Sequence, residues 1–102
     1  MTELSGQTIY LGDGNEDDLE YKLYEYMVAL AKEEGLDFAV ANPWGENTVV
    51  IGGTAYEVQW QYVGLESEEY EEDKHGDWHP VGPWYWDDGE PDFEVSSYWS
   101  DQ

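Results

Sequence analysis

Thr54-Ala55-Tyr56-Glu57-Val58-Gln59-Trp60-Gln61-Tyr62-Val63 is the stretch on which the fold turns. Successive side chains of an extended strand point to opposite faces. Thr54, Tyr56, Val58, Trp60 and Tyr62 therefore share one face, and Ala55, Glu57, Gln59, Gln61 and Val63 the other. One aromatic face and one mostly polar face predict a strand of an antiparallel sheet with its apolar side covered. Gly52-Gly53 is a two-residue hairpin signal, and Thr48-Val49-Val50-Ile51 supplies the preceding strand. Residues 37–42 read as a further strand, and residues 43–47 as a turn.

A helix is predicted to cover that sheet. Asn15 is a candidate N-cap, with Asp18 three residues on in place of the usual Glu or Gln of a capping box. Leu19, Leu23, Tyr26, Met27 and Leu30 recur at three- and four-residue spacing, which predicts an amphipathic helix over 16–34. Gly35 suits the C-terminal stop, with Leu36 as its apolar contact. Residues 8–11 form a short β-type run, and residues 1–7 and 101–102 read as loose ends. Residues 81–86 and 93–99 are expected to pair as a second hairpin. The fold class is thus α+β in one domain, residues 1–102. One amphipathic helix packs on an antiparallel sheet of about four to six strands, in the order β-α-β-β-β-acidic segment-β-β.

Charge is the outlying property. The 102 residues carry 25 Asp and Glu against three lysines and no arginine, for a net charge of −22. At one charge per 1.7 Å of duplex axis, that equals about 37 Å of DNA, on the order of 11 base pairs. Solubility alone asks for a magnitude of only about 2–8, and self-repulsion on this scale weakens the folded state. Six Trp and nine Tyr separate the chain from a disordered acidic tail.

Three clusters concentrate the carboxylates: Asp13, Glu16, Asp17 and Glu20 at the helix start; Glu66, Glu68, Glu69, Glu71, Glu72 and Asp73 in a run that fits either a short helix or an exposed loop; and Asp87, Asp88, Glu90 and Asp92 in the connection before the last strand. Carboxylates four residues apart on a helix lie about 6 Å apart along its axis, close to the phosphate step of one DNA strand. Tyr70, Trp78, Trp84 and Trp86 are candidate aromatic anchors, since Trp and Tyr are common hot spots of protein interfaces. Core packing is the bland alternative for the aromatic group that also includes Tyr85, Tyr98 and Trp99.

Other chemistries find little support. A calcium loop starting at Asp13 would place Asp18 where glycine is needed and Tyr24 where the bidentate Glu belongs. His75 and His79 have a zinc-ligand spacing, but Gly76 and Pro80 argue against the helix that would hold them, and no third ligand is specified. There is no phosphate loop, nucleophile elbow or triad pattern, so no enzyme, cofactor or metal is expected. No cysteine is present to bridge. Residues 1–5 lack a signal-peptide pattern, and no apolar run reaches membrane-spanning length. The expected location is cytoplasmic, in the host cell if the chain is phage-encoded.

In size and charge the chain resembles, as a class, the phage and mobile-element inhibitors of restriction enzymes, CRISPR effectors, uracil glycosylases and nucleoid proteins. The resemblance implies a DNA mimic. Its partner would be a basic nucleic-acid-binding protein: a nuclease or effector complex, a glycosylase or a nucleoid protein. Direct nucleic-acid binding is disfavoured by charge, and a homodimer would lengthen the DNA imitated. The competing readings are an aromatic-rich carbohydrate- or peptide-binding module and a halophile protein acidic for solvent reasons.

Overall fold

The alternation of residues 54–63 lies at the centre of the structure, a computed structural model that describes Leu4 and residues 6–100. In β3 (Thr54–Val63), Tyr56, Val58, Trp60 and Tyr62 are all buried, while Ala55 and Gln59 are exposed. On one side β3 pairs antiparallel with β2 (Trp44–Ile51), from Ile51 opposite Thr54 to Trp44 opposite Gln61. On the other it pairs antiparallel with β8 (Asp92–Ser100), with a bulge at Gln59/Trp60. β1 (Thr8–Tyr10) completes the order β1-β2-β3-β8 and runs parallel to β2. That parallel pair corrects the expectation of a wholly antiparallel sheet. The chain leaves β1 through helical structure and returns in the same direction, as a crossover between parallel strands requires.

Helix α1 (Glu16–Glu34) has the predicted bounds. Asn15 Oδ1 accepts the Asp17 N–H at 2.9 Å, and the Asp18 carboxylate accepts the Asn15 N–H at 3.2 Å. The shorter aspartate therefore closes the reciprocal box that glutamate usually forms. Leu19, Leu23 and Met27 are fully buried, each contributing roughly 1.5–3 kcal/mol of apolar burial. Tyr26, expected in the stripe, is exposed, and Ala31 is buried in its place.

Residues 37–42 are not a strand. They belong to a second helix, α2 (Leu36–Ala41), which begins directly after Gly35. A short apolar run has no periodicity to separate strand from buried helix. Here Phe38 and Ala39 enter the core, and the Asn42 N–H and Nδ2 both donate to the Phe38 carbonyl and close the helix. Pro43 follows and disfavours further helix. The expected turn at 43–47 is mostly strand, because Trp44 to Asn47 pair with β3.

Residues 81–86 and 93–99 do not pair with each other. β7 (Trp84–Trp86) pairs with β4 (Leu65–Ser67), and β6 (Trp78–Pro80) with β5 (Tyr70–Glu72). β8 instead brings Phe93 against Trp60 and Tyr62, with ring centroids 5.8 and 5.9 Å apart. That pairing buries the aromatic face of β3 on its second side. The loose start expected for residues 1–7 is only partly among the described residues. Within them, Leu4 is buried in the core, and its carbonyl and that of Gln7 each accept from Asn47 Nδ2 at 2.7 Å. The frayed end expected at 101–102 lies outside the described residues.

The Gly52-Gly53 turn joins β2 to β3 as expected, with φ of 57° and 80°. Gly52 also donates to the Gly12 carbonyl at 2.8 Å, so the loop before α1 lies against this turn. A Cβ on Gly52 would stand 2.0 Å from the Gly14 carbonyl oxygen, whereas one on Gly53 would meet nothing within 4 Å. Gly53→Ala should cost about 1 kcal/mol for its left-handed backbone alone. Gly52→Ala should cost about 2 kcal/mol or more, because two backbones must part. Urea denaturation of the two variants tests the packing: equal losses would mean that the Gly12–Gly14 loop does not rest on the turn.

Candidate functional site

Beyond Val63 and Asp92 the β3–β8 ladder continues into an arm. β4 with β7, then β5 with β6, form successive two-stranded sections of one long hairpin. The eight residues 65–72, at about 3.3 Å each, give it a reach of about 26 Å. The molecule measures 47 × 28 × 23 Å with a radius of gyration of 15.3 Å, against about 13 Å for a compact chain of this length. The acidic run is therefore one strand of an extended arm.

Its extended form has a local cause. Leu65 faces Trp86, Glu66 Tyr85, Ser67 Trp84, Glu71 His79 and Glu72 Trp78. Between the two sections the buried Ser67 hydroxyl accepts the Gly82 N–H at 2.7 Å and donates to the Glu69 carbonyl at 2.6 Å. The Glu68 N–H donates to Pro83 and the Val81 N–H to Glu69, which carries the pairing through this irregular stretch. Glu68, Glu69, Glu71 and Glu72 are exposed, and Glu66 is half-buried. Because strand side chains alternate, Glu71 and Glu72 serve opposite faces of the arm.

At the tip, Asp73 accepts the backbone N–H groups of His75 and Asp77 at 2.7 and 3.0 Å and meets His79 Nε2 at 2.7 Å. The His79 contact, followed by those backbone donors, holds the Asp73 carboxyl below its usual range. Asp73 thus shapes the tip turn while remaining ionised. His79 faces Asp73, and among the described residues no group of three or more His, Cys, Asp or Glu is placed to hold a metal ion.

The clusters do not form one patch. Asp13 lies beside the Gly52-Gly53 turn, where the Lys22 ammonium donates to its carbonyl, whereas Asp17 and Glu20 lie along α1 beside Phe93 and Val95 of β8. The arm leaves from the other end of β3, ten residues or about 33 Å from that turn. Asp87 and Asp88 sit at the arm's base, in a turn closed by Gly89 N–H to the Trp86 carbonyl at 2.9 Å; Glu90 and Asp92 follow. The carboxylates are therefore spread over the helix start, the arm and its base.

The aromatic candidates divide. Tyr70 and Trp78 are exposed, Trp78 at 64%. Trp84 is half-buried beside Gly82, and Trp86 packs on Tyr62 with ring centroids 5.9 Å apart, extending the core into the arm. Two other exposed aromatics were not singled out by sequence, Tyr10 and Trp44, 74% and 72% exposed; with Trp99 of the aromatic group, their register places them on the sheet face opposite the helices.

A groove of about 480 Å³ lies between α1 and β8. Asp17, Glu20, Tyr21 and Tyr24 line it from the helix, and Phe93, Glu94 and Val95 from the strand. None of these residues is basic. Helix positions i, i+3, i+4 and i+7 share a face, so the stripe formed by Asp17, Glu20, Tyr21 and Tyr24 was legible in the sequence. Its partnership with Phe93 and Val95 was not, because it depends on α1 packing against β8. The field nearby is negative: Tyr98 ionisation is pushed up first by burial, then by Glu16, Glu20 and Asp17. Tyr21 is pushed up by its hydrogen bond to Glu25 and by that group's charge.

The family model described as Phage T4 Y04L protein matches residues 4–102. The chain is also similar to an uncharacterised 11.9 kDa protein from the pin–nrdC intergenic region of Enterobacteria phage T4. The two are 69% identical over 102 residues, which is 100% of each. No solved structure matches. Among the described residues, no helix is long and apolar enough to cross a membrane.

Proposed function

The chain belongs to the Phage T4 Y04L protein family, and from that premise we propose that it is a nucleic-acid mimic acting in the host cytoplasm. It occupies the basic DNA- or RNA-binding channel of a host protein and blocks it. A defence nuclease or effector complex of the restriction or CRISPR type is the first candidate. No catalytic group is needed for this activity.

One observation carries the proposal. A net charge of −22 is distributed over a body 47 Å long, about one charge per 2.1 Å. Duplex DNA carries one per about 1.7 Å. A channel that gathers Lys and Arg around a duplex meets a similar charge per unit length here, on an object about one and a third helical turns long. Association should be steered by charge and weakened by salt, as for DNA itself. The arm contributes nine of the carboxylates between residues 65 and 88, against Lys74 alone. Its narrow section suits insertion into a cleft. Tyr70 and Trp78 add apolar contact that a phosphate backbone lacks, and with it preference for one target.

Tagged protein should recover from bacterial lysate a protein that binds DNA or RNA, and duplex DNA or heparin should displace it. Recovered partners that bind no nucleic acid, or capture indifferent to both competitors, would sink the proposal. Glutamine at Glu68, Glu69, Glu71 and Glu72 together should weaken the complex about 10- to 100-fold at low salt, at roughly 0.2–1 kcal/mol per exposed pair. It should also flatten the salt dependence.

A further inference from the structure

The four-stranded sheet is covered on one face only. Both helices lie on the face that carries Tyr62: its hydroxyl donates to the Met27 carbonyl of α1 at 2.9 Å, and its ring meets Phe38 of α2. The base of the arm leans the same way, through Trp86 on Tyr62. On the opposite face the register sets Tyr10, Trp44 and Trp99, with Glu46, Glu57 and Glu94 between them. Water-facing sheet surfaces are ordinarily polar, yet this one keeps three large rings 44% to 74% exposed. Glu57 accepts from the Thr48 hydroxyl at 2.8 Å and Glu94 from Gln61 Nε2, so the neighbouring strand holds both carboxylates in place. Lys22 and Lys32 are on α1 and Lys74 is at the arm tip, so no lysine faces this surface.

We propose that this open sheet face docks a basic helix of the partner protein. Charge selects the occupant. A second copy of the chain would set three glutamates against three others at the roughly 10 Å spacing of packed sheets, with no lysine between them. Nucleic acid is repelled for the same reason. A cationic protein segment is the complement. Shape selects the helix. The face runs about 26 Å along the eight residues of β2 and about 14 Å across from β1 to β8. A helix with its side chains is about 10–12 Å wide and covers that length in about 17 residues. The register sets Glu57 about 8 Å from Glu46 and about 14 Å from Glu94. Basic side chains one to three turns apart on one helix face span those distances. Their aliphatic stems cover apolar surface, and a guanidinium stacks on an indole, which gives Trp44 and Trp99 their part. The inference deepens the mimic proposal and rests on it for the basic partner. It adds a contact away from the arm that duplex DNA does not offer.

The test titrates the full chain with three peptides by NMR at about 0.1 M salt, where distant charges are screened. The first is an alanine-based helix of about 18 residues with arginine at every fourth position, a length set by the face. The second carries glutamine in place of arginine. The third keeps the arginines and has two central alanines replaced by proline, which breaks the helix. The arginine helix should shift resonances of Thr48, Gln59, Gln61, Ser97 and the Trp44 and Trp99 indoles most. The proline peptide should bind at least about 3-fold more weakly, and the glutamine peptide should not bind. Glu57→Gln with Glu94→Gln should weaken the arginine helix about 3- to 10-fold. Both changes keep an amide oxygen to accept from Thr48 and Gln61, so the sheet is not at risk. Glu71→Gln with Glu72→Gln on the arm should leave binding within about 2-fold. Shifts centred on α1 or the arm, equal affinity for the proline peptide, binding of the glutamine peptide, or indifference to the Glu57 and Glu94 changes would each overturn the inference. Any of these could occur while lysate capture of a nucleic-acid-binding protein still succeeds, which separates failure of the sheet face from failure of the mimic.

Discussion

Trp60→Ala is expected to lower the unfolding free energy by about 3–5 kcal/mol, a large part of the roughly 5–15 kcal/mol typical of a whole domain. Trp60 is 2% exposed and occupies the middle of β3. Its ring lies 5.6 Å from that of Tyr62 and 5.8 Å from that of Phe93, so it joins the central strand to β8. Its Nε1–H donates to Asn47 Oδ1 at 2.7 Å, which joins it to β2. Truncation removes both links and opens a cavity that β3, paired on both sides, cannot close. The charge makes the loss harder to bear, because self-repulsion at −22 already weakens the compact state. Trp60→Phe separates the contributions. It keeps an aromatic ring and removes the N–H, and should cost about 1–3 kcal/mol through the orphaned acceptor and the smaller ring. Equilibrium denaturation followed by far-UV circular dichroism measures both. If Trp60→Ala cost less than Trp60→Phe, packing would not be the main contribution of this residue.

Asn47→Leu should cost about 3 kcal/mol, although it replaces a polar core group by an apolar one of similar size. Asn47 is 1% exposed and makes three side-chain hydrogen bonds. It accepts from Trp60 and donates to the carbonyls of Leu4 and Gln7, all at 2.7 Å. Leucine satisfies none of these partners, and each buried polar group that loses its bond costs about 1–3 kcal/mol. The damage should also be directional. Leu4, Gly6 and Gln7 are tied to the sheet by Asn47 and by the Gly6 N–H donating to the Glu46 carbonyl at 3.1 Å, and to the end of α2 by the Leu4 N–H donating to Asn42 Oδ1 at 3.1 Å. Amide exchange at Gly6–Tyr10 should therefore accelerate by at least about 10-fold in the variant, beyond the change in β3 and β8. Uniform acceleration across the sheet would mean that Asn47 supports the core generally rather than this segment.

Asn47 also marks where sequence reasoning stopped. It stood in a stretch expected to be a turn, since Pro43, Gly45 and Asn47 are turn-forming types. Tertiary structure overrode that preference. Gly45 is buried opposite Trp60, and Asn47 bonds across the sheet to a side chain and to two carbonyls of a distant segment. The Leu36–Ala41 helix was missed for a related reason: six residues carry too little periodicity, and packing against α1 decides them. By contrast, α1 and β3 announce themselves through long repeats that burial must respect. Leu19, Leu23 and Met27 are too regularly spaced to be anything but one helix face, and a one-residue slip of β3 would expose four buried residues.

The candidate site divides along the same line. Which carboxylates are present, their excess over lysine and the α1 stripe of Asp17, Glu20, Tyr21 and Tyr24 are properties of the chain itself. Composition and local periodicity determine them without reference to partners in space. Three things only the tertiary structure decided. The run from Glu66 to Asp73 became a strand because Trp78, Trp84 and Trp86 return opposite it and Ser67 bridges the irregular stretch between them. The acidic clusters were spread rather than gathered because the ten residues of β3 lie between the Asp13 loop and the arm. Phe93 and Val95 joined the helix stripe because β8 pairs with β3 rather than with its nearer neighbour β7. Each depends on pairing between segments distant in sequence, where the energy comes from contacts that no local pattern encodes.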